Sequence, residues 1–172
     1  MASLVTNPSD GAAIMKTLMA WVLALSGMSD LAWAQNAGTQ AIPYCPEFNR
    51  VVALAMTRER FASITGKPRE GNFVETTLSL TGWNDCSLYG ATTYTCDSPT
   101  HRTAAEAELA QARLLDELKA CLGSAWTEAK DRSSSTYVVL HHAARPVSIT
   151  LSTDQTEQNE HVVHLILFVR RN

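Results

Sequence analysis

An α+β fold with an antiparallel sheet of about five to six strands and two helices packed on one face is predicted by three observations. Two stretches carry apolar residues at helical spacing, several shorter ones alternate with period two, and the connections between the alternating stretches are short. The order along the chain reads α-β-β-β-α-β-β-β, with two disulfides.

The first helix is expected to start at Cys45-Pro46, because proline suits the first helical position. Phe48, Val51, Val52 and Ala55, followed by Leu54 and Phe61, place apolar groups on one broad face. Thr65-Gly66 is expected to end it, with Gly66 as a left-handed cap and Pro68 beyond. From Asn72 to Leu80 the chain alternates: Val74, Thr76, Leu78 and Leu80 face one way, Phe73, Glu75, Thr77 and Ser79 the other. Thr81-Gly82 stops that strand. Aromatic and β-branched residues then flank Gly90 between Cys86 and Cys96, which reads as a hairpin. A register centred on Ala91 puts the two cysteines opposite each other, close enough for a cross-strand bridge.

The second helix is expected over Thr103–Leu122. Thr103-Ala-Ala-Glu106 matches a capping box, and the segment is dense in Ala, Leu, Glu, Lys and Arg. Ala107, Leu114, Leu118 and Cys121 recur at helical spacing, and Gly123 follows as a stop. Ser124 to Lys130 reads as a further turn that packs Trp126, and Asp131 to Ser135 as a polar loop. Three strands close the chain: Tyr137–His142, then Val147, Ile149 and Leu151 alternating with Ser148, Thr150 and Ser152, then His161–Val169. The last is nearly continuous apolar, as for a strand covered on both faces or central in its sheet. The repeated order suggests two units of one helix and three strands.

Compartment follows from the N-terminal third. Met15-Lys16 offers a start and a positive charge, Leu18 to Gly27 is an uncharged apolar run, and Ala32-Trp33-Ala34 fits the small-x-small cleavage rule. The expected organisation is therefore a non-native extension over 1–14, a signal peptide over 15–34, a flexible leader over 35–44 and one α+β domain over 45–172. The apolar run is too short to span ~30 Å of hydrocarbon, so no stable membrane anchor is expected.

All four cysteines lie beyond that signal, and an even count in an oxidising compartment reads as two bridges. Side-by-side antiparallel helices bring Cys45, at the start of the first, to Cys121, at the end of the second. The favoured pairing is Cys45–Cys121 with Cys86–Cys96. The crossed pairings, Cys45–Cys86 with Cys96–Cys121 and Cys45–Cys96 with Cys86–Cys121, stay open at this point.

Candidate chemistry is sparse. The chain has 172 residues, 18% of them charged, with a net charge of −3, which carries no basic footprint for nucleic acid. The adjacent His141 and His142 point to opposite faces of their strand, as do His161 and His164, and antiparallel pairing puts His161 near Ser152, away from His142. Three or four ligands do not converge, so no metal is expected. Gly-x-Ser-x-Gly, His-Glu-x-x-His and Gly-rich phosphate loops are missing from the sequence. No cofactor and no catalytic residue are assigned. The expected binding residues are Trp83, Asn84, Asp85 and Tyr89, with Trp83 the one most expected to be exposed, since its loop is pinned at Cys86.

These readings point to an exported periplasmic or secreted protein without catalytic activity. It would bind another envelope or secreted protein as an inhibitor, immunity or envelope-accessory factor. The alternatives are a small-ligand carrier with a cavity between helices and sheet, and a hydrolase-type enzyme using His141 or His142 as base.

Overall fold

The computed structural model describes residues 41–170, so the extension, the signal peptide and most of the leader lie outside the described residues. Eight antiparallel strands form one sheet, in the order β1-β2-β3-β4-β8-β7-β6-β5. They are β1 (Thr65–Pro68), β2 (Phe73–Thr76), β3 (Asn84–Tyr89), β4 (Thr93–Asp97), β5 (Trp126–Glu128), β6 (Tyr137–His142), β7 (Val147–Gln155) and β8 (His161–Val169). Helix α1 (Cys45–Ala55) precedes the first four and α2 (Ala104–Leu122) the last four. The expectation of five to six strands is thus corrected to eight. The repeated unit is one helix plus a four-stranded meander, and the two meanders join through their last strands, β4 and β8.

The two unforeseen strands are both edges. β1 contains Gly66 and Pro68, residues that read as turn signals. Here they mark an edge, where proline is tolerated because its missing N–H breaks no ladder bond. Gly66 is not a helix cap. A Cβ there would lie 3.0 Å from the Glu75 Cβ, so glycine permits the close approach of β1 to β2. β5 has three residues and lies within Ser124 to Lys130, the stretch whose sequence reads as a turn. It pairs instead with β6, Trp126 opposite His142, which drives the Trp126 indole into the core.

Helix α1 ends ten residues earlier than its apolar pattern implied. The Thr57 hydroxyl donates to the Leu54 carbonyl and accepts from the Arg60 N–H, and Arg60 adopts φ 50°, closing the helix in a turn. Phe61 still reaches the core, from the far side of that turn. Tyr44, expected in the leader, also belongs to the folded unit, only 4% exposed. Helix α2 forms as its sequence dictates. The Thr103 hydroxyl accepts from the Glu106 N–H, the Glu106 carboxylate accepts from the Thr103 N–H, and Gly123 stops the helix at φ 71°.

The hairpin register is the expected one: Leu88 pairs with Tyr94 and Tyr89 with Thr93, and Cys86 bonds to Cys96 with Cα atoms 4.1 Å apart. The second bond, Cys45–Cys121, ties the start of α1 to the end of α2. Both favoured pairings are therefore present, and the crossed ones are excluded.

Alternation along β8 sorts the two faces of the sheet. Val163, Leu165 and Leu167 are buried with Tyr94, Ile149 and Leu151 beneath Phe48, Val51, Val52 and Leu118 of the helices. His164, Ile166 and Phe168 point away from the helices and are only part-buried. β8 is thus central between β4 and β7 and fully covered on one face alone.

Candidate functional site

The helix-free face carries an exposed aromatic pair and an exposed ion pair. Phe73 on β2 and Tyr89 on β3 are register partners there, 42% and 46% exposed, with ring centroids 5.1 Å apart. With Thr93, Thr95 and Ile166 they line a shallow, almost wholly apolar bowl of about 270 Å³. Beside it opens a polar crevice of about 510 Å³ between Arg69, Glu70, Phe73, Asp85 and Ser87. The Arg69 guanidinium donates to the Asp85 carboxylate across 2.7 Å. Asp85 sits at φ 40° beside the irregular register between Asn84 and Ser87, and such a bulge re-aims a side chain. Two exposed aromatic rings thus lie next to an exposed ion pair.

The edges of the sheet are poor alternatives for pairing with another chain. β1 is four residues long with Lys67 and Pro68, and β5 is three residues long. Short edges with charge and proline discourage strand addition.

Of the residues singled out from sequence, Asp85 and Tyr89 come together at this patch. Asn84 opens β3, exposed and paired in register with Asp97, outside the bowl. Trp83 is corrected: it is 9% exposed, not a free loop anchor. Its N–H donates to the Leu80 carbonyl in a tight turn, and its indole meets the Tyr44 ring edge-on at 5.8 Å on the helix-bearing side. Phe73, Ile166 and Arg69 were not singled out. For Phe73 the signal was present, as an aromatic residue in the outward phase of an alternating strand.

The histidines divide by environment. His164 Nδ1 lies 2.6 Å from Asp97 and its Nε2 3.6 Å from Asp154, all on the helix-free face. The hydrogen bond to Asp97 raises its pKa above the usual value, against the opposing effect of burial. His141 hydrogen-bonds the Ser148 hydroxyl at 2.7 Å, and burial together with Arg170 and Arg132 lowers its pKa. His142 accepts from the Ala144 N–H, and its ring stands edge-on to Trp126 at 5.2 Å. Among the described residues, neither His141 nor His142 hydrogen-bonds a carboxylate. β7 runs on to Gln155, so Gln155 faces His161 and Ser152 faces His164, not His161 as short strands implied. No group of three or more metal-ligating side chains converges among the described residues.

Comparison with protein-family models, curated proteins and solved structures gave no match. The class is therefore defined by the chain itself, as an α+β protein stapled by two disulfides. Such bonds persist in oxidising, extracytoplasmic environments. No helix among the described residues is long and apolar enough to cross a membrane.

Proposed function

We propose that this chain is exported, cleaved after Ala34, and acts in the periplasm or outside the cell as a non-catalytic protein-binding module of the inhibitor, immunity or envelope-accessory kind. Its docking surface is the helix-free sheet face, and the partner is an envelope or secreted protein that offers a large apolar side chain flanked by polar groups. The observation that carries this reading is the exposed Phe73–Tyr89 pair around the apolar bowl, beside the Arg69–Asp85 rim. A rigid aromatic pocket suits an anchor residue, and such anchors contribute most of the binding energy at interfaces. The fold supports the role. The rings stand on β2 and β3, strands held by pairing on both sides, and Cys86–Cys96 locks the hairpin that presents Tyr89.

The test compares the chain with its Phe73→Ser/Tyr89→Ser variant as bait in a native envelope extract, with Leu109→Ser as control. Leu109 is 65% exposed but lies on α2. Partner recovery is expected to fall at least tenfold for the double variant, since a lost hot spot is worth about 2 kcal/mol or more, and to be unchanged for the control. Equal recovery with all three baits would refute the assignment of the face.

A further inference from the structure

A second site lies away from the sheet face, on the helix-bearing side. There the start of α1, the turn before β3 and the middle of α2 enclose a crevice of about 290 Å³. Tyr44, Trp83, Pro99 and Leu114 supply apolar walls, and Arg113 and Glu117 supply one charge of each sign, one helical turn apart. The volume is at the small end of ligand pockets and suits a molecule of single-ring size.

The two charges do not neutralise each other. Among the described residues Arg113 forms no ion pair. The order along the helix explains this in part, because an acidic residue pairs better when it precedes the basic one by four positions, and here it follows. Glu117 is instead held by Tyr44, whose hydroxyl donates to Oε2 at 2.8 Å. Burial first, and the neighbouring carboxylate second, keep that phenol protonated far above its ordinary range, so it stays a donor. One carboxylate oxygen is thereby fixed, and Oε1 has no hydrogen-bond partner among the described residues. An oriented acid and an unpaired guanidinium, a turn apart beside an aromatic wall, complement a ligand that carries an ammonium and a carboxylate on one carbon and an apolar side chain.

We propose that this crevice binds a free α-amino acid with an aromatic or large aliphatic side chain, its ammonium on Glu117, its carboxylate on Arg113 and its side chain against Trp83, Pro99 and Leu114. The inference is independent of protein docking on the sheet face.

Calorimetric titration of the purified chain with L-phenylalanine and L-leucine, followed in parallel by the Trp83 indole N–H resonance, tests it. Binding is expected with a Kd below about 1 mM for at least one of them. N-acetyl-phenylalanine, which lacks the ammonium, and phenylalaninamide, which lacks the carboxylate, are expected to bind at least about tenfold more weakly. Arg113→Gln and Glu117→Gln should each lower affinity by a similar factor while the unfolding midpoint stays put. Phe73→Ser/Tyr89→Ser should leave the titration unchanged, which separates failure here from failure of the docking surface. The proposal is overturned if neither amino acid binds, if the blocked derivatives bind as well as the free ones, or if affinity survives both charge substitutions.

Discussion

Replacing Cys45 and Cys121 together by alanine probes the clamp between the helices. The bond spans a sequence separation of 76, and the chain-entropy relation gives about 4.5 kcal/mol for constraining an unfolded loop of that length. Both cysteines are part-buried at helix ends, so the native packing lost is small and the effect resides in the unfolded state. The Cys86–Cys96 bond spans a separation of only 10, worth about 2.8 kcal/mol by the same relation. Cys96 is fully buried, however, and its loss adds a packing cost that brings the two totals closer. The slope of the denaturation curve separates them. Opening the longer loop lets the unfolded chain expand and expose more surface, so m should rise clearly for Cys45→Ala/Cys121→Ala and little for Cys86→Ala/Cys96→Ala. Urea unfolding of the three oxidised proteins measures both quantities. A loss below about 2 kcal/mol for the long-range pair, with m unchanged, would refute the reasoning, because the entropy model demands more than that for so long a loop.

His164 makes stability depend on pH. Asp97 raises its folded pKa, so its stabilising contribution is complete below the unfolded value of about 6.5 and is lost as pH rises through the folded one. Unfolding free energy should therefore decline from about pH 6.5 upward, and His164→Asn should flatten that part of the profile; an unaltered profile contradicts the pairing. Thr103→Ala removes one arm of the capping box and should cost about 1 kcal/mol in thermal or urea unfolding. Gln111→Leu should be neutral or mildly stabilising by the same measurement. The Gln111 side chain is buried, its Oε1 has no partner among the described residues, and its bond to the Leu151 carbonyl is a long 3.4 Å.

Local patterns carried most of what was legible in the sequence. The capping box at Thr103, the hairpin symmetric about Ala91 and the alternation from Val147 onward each depend on neighbours a few residues away, and each is present in the fold. The disulfide pairing followed from those elements, because the two helix ends and the two hairpin arms are the places where cysteines meet. Edge strands were illegible for a physical reason. Gly66 and Pro68 read as turn residues, and the three residues of β5, Trp126-Thr127-Glu128, are too few to display an alternation, so only pairing with a neighbour makes these segments strands. The pairing of β4 with β8 joins Tyr94 to Leu167, a contact between segments too distant in sequence for any local signal. At the candidate site, Asp85 was legible as part of the loop pinned at Cys86 and Tyr89 as an aromatic of the hairpin that follows, whereas the irregular register between Asn84 and Ser87 that re-aims Asp85 has no local signal. Trp83 was misplaced because a loop sequence does not state which way its side chain turns, and Tyr44 offers the indole a wall on the helix-bearing side.

The proposed docking surface is the helix-free sheet face. Site-specific photocrosslinking in the native envelope addresses it directly, with the reactive side chain placed at Tyr89 in one protein and at Leu109 on α2 in another. A discrete adduct from position 89 and none from position 109 is the expected result. Adducts of equal yield at both positions, or adducts from position 109 alone, would contradict it.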